Sequence, residues 1–295
     1  MSDVSYISSC VTRDGSARLI FANTTSIMRY RSSLEPMSDT SVAVMGRALT
    51  AASIMGSMGK TYEEKLTLQV RGDGPAGNVT AVSDSWGNVR ACMDEPMVEL
   101  PNRADGKIDV GGAVGSGSLI VMKDLGLKEP YTAVCELVSG EIAEDVTSYY
   151  ARSEQTPTVC ALGVRIEPDM SVSVSAGFML QLLPFYDEGI IDLIEKNLTD
   201  LPSVTDMVFS GMDDTAVFDR ILRDIPYDPL DRHDIEYRCN CSRERYYTAL
   251  MSLGEDEIRS LAQAGEPVET VCSFCRKKYV FATDGNTILE KEETL

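Results

Sequence analysis

The patterning of the chain predicts an α+β fold: an N-terminal antiparallel-sheet domain with packed helices, a helical linker and a small C-terminal metal-binding domain. Three observations predict it. Short apolar runs punctuated by Gly, Asp and Asn turns fill the first 178 residues, amphipathic helical stripes follow them, and the final stretch from residue 232 carries cysteines in close pairs.

Taken in order, residues 5–12 and 17–23 read as two strands around the turn Arg13-Asp14-Gly15-Ser16. From Ser38 to Met58 apolar residues recur at helical spacing (Val42, Met45, Leu49, Ala52, Met55), with Ser38 or Asp39 placed to cap the start. The small residues of this helix would let it lie close to a sheet. Strands follow at 65–71, 77–83 and 89–93, separated by Gly72-Asp73-Gly74-Pro75 and Trp86-Gly87-Asn88, which makes a meander and hence antiparallel pairing. Residues 94–117 read as loop. The run Gly111-Gly112-Ala113-Val114-Gly115-Ser116-Gly117 invites a phosphate-loop reading, but it lacks the Lys-Ser/Thr ending and a completed G-x-G-x-x-G, so its glycines are assigned to turns that feed the strand Ser118–Met122. A strand at 132–138, a helix over 141–155 with an acidic first turn, and a strand pair at 158–166 and 170–176 complete the domain 1–178.

After Pro184 the character changes. Helices are expected over 185–200 (Ile190, Ile191, Ile194, Leu198) and 213–225 (Val217, Phe218, Ile221, Leu222, Ile225), each too short to persist alone in water. They form the linker 179–231, closed by Pro226 and Pro229, and the last domain is 232–295.

That domain holds Cys239-Asn240-Cys241 and Cys272-Ser273-Phe274-Cys275. Two thiol pairs at chelate spacing, separated by a loop-sized insert, suit a tetrahedral four-sulfur zinc site with metal ligands Cys239, Cys241, Cys272 and Cys275. The same thiols can be oxidised. Arg238, Arg243 and Arg245 flank the first pair and Arg276, Lys277 and Lys278 follow the second; positive neighbours favour thiolate, or simply offset the charge of four sulfurs. A structural zinc contributes about 10–16 kcal/mol of apparent folding energy, whereas a core this small supplies no more than roughly 3–5 kcal/mol. Oxidation would therefore expel the metal and unfold the domain, and the amphipathic segment would be released with it if that domain holds it down.

Charge and composition exclude other classes. The chain carries −19 in total; residues 1–231 have 18 basic against 34 acidic residues and residues 232–295 have 9 against 12, so the body repels phosphate backbones. The start lacks a secretory pattern and the apolar stretch 41–59 is broken by Arg47, so a cytoplasmic protein that neither binds nucleic acid nor enters a membrane is expected. Cys10, Cys92, Cys135 and Cys160 read as buried small hydrophobes. His233 is the chain's one histidine, expected as an exposed imidazole, and no catalytic set is legible.

The sequence resembles the heat shock protein 33 family, the redox-regulated 33 kDa chaperonins. The resemblance rests on Tyr237-Arg238-Cys239-Asn240-Cys241-Ser242-Arg243-Glu244-Arg245, Val271-Cys272-Ser273-Phe274-Cys275 and Tyr279-Val280-Phe281, and continues in Gly140–Asp145, Tyr149–Pro157, Gly115-Ser116-Gly117 with Lys123–Gly126, and Gly177–Pro184. It implies a zinc-bound inactive form with one zinc per chain, and an active form with disulfides Cys239–Cys241 and Cys272–Cys275. The active form would dimerise and hold unfolded clients without ATP. Two other classes compete with this binding protein. One is a zinc-ribbon adaptor for nucleic acid or protein that uses the six bases, and the other is a thiol–disulfide oxidoreductase that uses Cys272 and Cys275.

Overall fold

The computed structural model describes residues 4–264 and 266–290. They fall into two compact units, the first ending at Arg238 and the second starting at Cys239. The first opens on the expected hairpin, β1 (Ser5–Thr12) and β2 (Ala17–Asn23), whose turn is tied by Asp14 accepting from the Ser16 amide at 3.0 Å and its hydroxyl at 2.8 Å. A short helix, α1 (Thr25–Ser33), follows where no sequence signal was read. Helix α2 (Asp39–Gly56) starts on Ser38, whose Oγ accepts from the Ser41 amide at 3.2 Å.

Apart from Asp39 and Arg47, every residue of α2 is buried. Its small residues explain how. A Cβ on Gly46 would stand 2.5 Å from Val164 and one on Gly56 2.4 Å from Ser83, so one sheet closes on the helix near each glycine. A helix buried all round is a central layer and not a surface element.

One of those sheets is built from β3 (Lys65–Gly72), β4 (Asn78–Asp84), β5 (Val89–Met93), β6 (Gly117–Asp124) and β7 (Tyr131–Glu136), in the antiparallel order β5-β4-β3-β6-β7. The glycine-rich stretch feeds β6, as expected. It contains a one-turn helix, α3 (Val110–Val114), and a Cβ on Gly117 would meet the Arg71 carbonyl at 1.9 Å. Close backbone passage is therefore its use of glycine. The helix expected over 141–155 is shorter: α4 (Ala143–Tyr149) runs into a single wider turn, Tyr150–Glu154, and Gln155 turns the chain at a φ of +52°. Asp145 is buried and accepts from the amides of Val138 at 2.7 Å, Ser139 at 3.1 Å and Ile142 at 2.8 Å, so it folds the preceding loop onto the helix start.

The other sheet contains β8 (Thr158–Ile166) and β9 (Val172–Leu182), the latter six residues longer at its end than the pattern suggested. Beyond it lie α5 (Gly189–Thr199), α6 (Val204–Phe209), α7 (Asp214–Ile221) and a strand the prolines concealed, β10 (Tyr227–Ile235). The order is β10-β1-β2-β9-β8, all antiparallel, with Ser5 opposite Ile235. Alternate residues serve opposite faces. Ile7, Ile20, Ala22 and Met179 join the core around α2, while Leu19, Phe21, Phe178 and Leu180 join a second core with Ile190, Ile194, Val217, Phe218 and Ile221. The amphipathic helices thus lie on this sheet, and burying these side chains offsets their marginal local stability.

The second unit pairs two helices, α8 (Arg243–Met251) and α9 (Glu255–Gln263), with the hairpin β11 (Val268–Val271) and β12 (Lys278–Phe281). Among its described residues the buried apolar cluster is Ile258, Tyr279, Phe281 and Ile288.

Candidate metal centre

The β11–β12 hairpin turns through Cys272–Lys277. The Cys272 amide donates to the Lys277 carbonyl at 2.9 Å, the Arg276 amide donates to the Cys272 carbonyl at 2.9 Å, and Arg276 sits at a φ of +58°. This tight turn brings the Cys272 and Cys275 side chains to one side. The other pair lies on the segment entering α8, where Ser242 caps the helix by accepting from the Arg245 amide at 3.2 Å. Arg245 in turn donates to the Asn240 carbonyl at 3.1 Å, fixing the residue between Cys239 and Cys241.

The four Sγ atoms of Cys239, Cys241, Cys272 and Cys275 lie within 4.8 Å of one another. The Cys239–Cys272 sulfurs are 3.7 Å apart and those of Cys241 and Cys275 3.4 Å. Tetrahedral zinc at about 2.3 Å from each sulfur sets sulfur–sulfur distances of about 3.8 Å. The donor set and spacing fit that ion. All four are free thiols.

Two tyrosines outside the candidate ligand set complete the site. The Tyr279 hydroxyl donates to Cys241 Sγ at 3.1 Å, and the Tyr246 hydroxyl donates to the Cys272 sulfur. The two rings stack at 5.0 Å. Nothing in local spacing marks a tyrosine as a sulfur partner; Tyr279 reaches the site only because β12 returns alongside β11. Burial pushes the Cys239 and Cys275 thiols up. At Cys272 burial also opposes ionisation, but the Cys275 and Phe274 amides and Tyr246 donate to the sulfur and hold it at about 6. These donors favour the Cys272 thiolate.

The six bases do not form a free patch over the sulfurs. Arg243 stacks on Phe281 at 4.4 Å and donates to the Glu290 carbonyl, Lys277 lies over the Tyr279 ring at 5.3 Å, and Lys278 pairs with Glu269 at 2.5 Å. Arg238 belongs to the first unit, paired with Glu236 at 2.7 Å and Asp84 at 3.4 Å. His233 stands on β10 of the first unit. It is less exposed than expected, its Nδ1 at 2.7 Å from Asp231, its Nε2 at 2.8 Å from the Trp86 carbonyl and its ring 4.3 Å from that indole. Of the scattered cysteines only Cys10 is fully buried, with burial pushing its thiol up to about 12; Cys92, Cys135 and Cys160 are half-buried, a correction to the expectation for all four.

Comparison with known proteins extends the picture beyond the thiols. The family model described as Hsp33 protein matches residues 5–282. A 33 kDa chaperonin of Agathobacter rectalis is 44% identical over 242 residues, spanning 82% of this chain and 84% of the relative. One from Clostridium acetobutylicum is 39% identical over 274 residues, with 92% of each covered. The crystal structure of the 33 kDa chaperonin (heat shock protein 33 homolog) of Thermotoga maritima superposes with a TM-score of 0.89 at 33% identity, covering 96% of both chains. The likeness therefore includes both units.

Proposed function

The chain belongs to the Hsp33 family, and from that membership we propose that it is a redox-regulated, ATP-independent holdase that keeps unfolding proteins from aggregating. The observation that carries the redox part is the convergence of four free sulfurs within 4.8 Å in a unit with a four-residue buried core. In the reduced state Cys239, Cys241, Cys272 and Cys275 would hold one zinc ion, which supplies the cross-link that so small a core needs. Tyr246 and Tyr279 donate to the sulfurs and stabilise their negative charge.

Activation follows from oxidation of the chain's own thiolates. Two molecules of peroxide accept four electrons from the four sulfurs and, with four protons, leave as four waters. Bonds form between Cys239 and Cys241 and between Cys272 and Cys275, and sulfurs in disulfides no longer ligate metal. The second unit then loses its cross-link. Functionally the chain divides into 1–178, the linker 179–231 and the switch 232–295. The compact units divide later, after Arg238, since β10 completes a sheet. The linker presents Ile190, Ile194, Val217 and Phe218 when it leaves that sheet, and the active form is a dimer. Binding without turnover is the proposed activity, and the cytoplasm the proposed location; among the described residues no helix is long and apolar enough to cross a membrane.

The test is light scattering from a thermally unfolding client, with the protein either reduced and zinc-loaded or treated with peroxide under mild heat. Suppression by the oxidised sample alone, reversed by a thiol reductant, is expected. Equal inactivity of both samples would overturn the reading and favour the adaptor; catalysed disulfide reduction lost in Cys272→Ser would favour the oxidoreductase.

A further inference from the structure

A cleft of about 710 Å³ opens in the first unit, between the end of α2, the start of β3, the Tyr150–Thr156 turn and residues 181–186. Its size is that of a pocket for a small organic molecule. Met55, Met58, Leu66, Leu125, Leu183 and Tyr186 contribute apolar walls.

The charges are unlike the rest of the molecule. Arg18, Lys60, Lys65 and Lys123 line the cleft against two acids, Glu64 and Glu154, in a chain whose net charge is −19. Both acids are already engaged. Glu154 accepts from Lys123 at 2.7 Å and from the Tyr149 hydroxyl, and Glu64 accepts from the Lys60 amide at 3.1 Å and the Thr61 hydroxyl at 3.2 Å. Arg18 is left with neutral partners, Gln181 Oε1 at 2.8 Å and Met58 Sδ at 3.0 Å, and its Nε is buried with no acceptor. No carboxylate among the described residues pairs with Arg18, Lys60 or Lys65, and the Tyr150 hydroxyl makes no hydrogen bond to a described residue. A guanidinium held this way has neutral acceptors but no anionic partner to offset its half-buried charge.

We propose that this cleft binds an amphiphilic organic anion, its acidic oxygens taken by Arg18 and the Tyr150 hydroxyl, its approach favoured by Lys60 and Lys65, and its apolar body laid against Met55, Met58 and Leu66. A planar guanidinium suits both carboxylate and phosphate heads. The site stands independently of the thiol chemistry.

Calorimetric titration of the reduced full-length protein with decanoate, decyl phosphate, decanol and inorganic phosphate tests this. Saturable one-to-one binding of decanoate or decyl phosphate is expected, at least about tenfold tighter than decanol or inorganic phosphate alone. The tighter of the two amphiphiles identifies the head group. Arg18→Met should weaken that binding by about tenfold or more, and Lys60→Ala/Lys65→Ala, made at exposed positions, by a smaller factor that shrinks as salt is raised. Amphiphiles that bind no better than decanol overturn the proposal. So does wild-type affinity in Arg18→Met or, should that variant not fold, in the double lysine variant.

Discussion

The two units are stabilised by different means. In the first, α2 is enclosed between two five-stranded sheets, and one of those sheets carries helices on its other face too. The second gathers a buried apolar cluster of four residues and a cluster of four thiols among about fifty described residues. One is held by packing that no single bond controls; the other sets a small apolar cluster beside four thiols open to oxidation. On the proposed redox reading, placing the sulfurs in the small unit would make it the part of the molecule that an oxidant unfolds.

The comparison breaks most visibly if the metal is stripped. With a strong chelator, amides of 243–281 should lose hydrogen-exchange protection, since about 10–16 kcal/mol of apparent folding energy goes with the ion, while those of β1, β2 and β9 keep theirs. Simultaneous loss in both units would end the claim that they are stabilised separately. The converse change is Phe178→Ala, which removes a ring that is 1% exposed beneath the helices of 189–221. It should cost about 3–5 kcal/mol, read as a lower melting transition of the first unit with zinc content unchanged. A finer test is Tyr279→Phe, which deletes the hydrogen bond to Cys241 and leaves the ring. Metal affinity should fall about 10–100-fold, measured by competition with a chromogenic chelator; an unchanged affinity would remove Tyr279 from the site.

The smallest effect concerns acid. Burial works against the charge of Glu154, but Lys123 and the Tyr149 hydroxyl outweigh it and hold its carboxyl below the ordinary value of 4.5. A depressed carboxylate stabilises the fold fully above its unfolded value and loses that contribution as pH falls below it. Glu154→Gln should therefore flatten the acid limb of the first unit's stability curve below about pH 4.5, by less than about 1 kcal/mol for a partly exposed pair.

The local parts of this structure were legible in the residues. The 13–16 turn, the buried stripe of α2, the 65–93 meander and the spacing of the four cysteines each depend on neighbours a few positions away. What escaped depends on distant ones. Tyr227–Ile235 contains Pro229 and many charges and reads as a boundary, yet it is an edge strand, with the proline opposite Cys10 where the register shifts. The segment 185–225 breaks into three helices and not two, because Ser203 caps an extra turn, accepting from the Asp206 amide at 3.1 Å, that only the sheet beneath stabilises. The wider turn at Tyr150–Glu154 and the two tyrosines at the sulfurs are likewise products of the folded context.

The pairing of Ser5 with Ile235 also sets a schedule. At about 5–20 residues per second, on the order of ten to fifty seconds of translation separate the first strand from the one that covers its edge. During that interval β1 can pair with β2 alone, and its other side offers open backbone to whatever lies near the ribosome. The four clustered cysteines, Cys239 to Cys275, emerge only after the closing strand, so the large unit has all of its strands before the thiols of the small one can be oxidised.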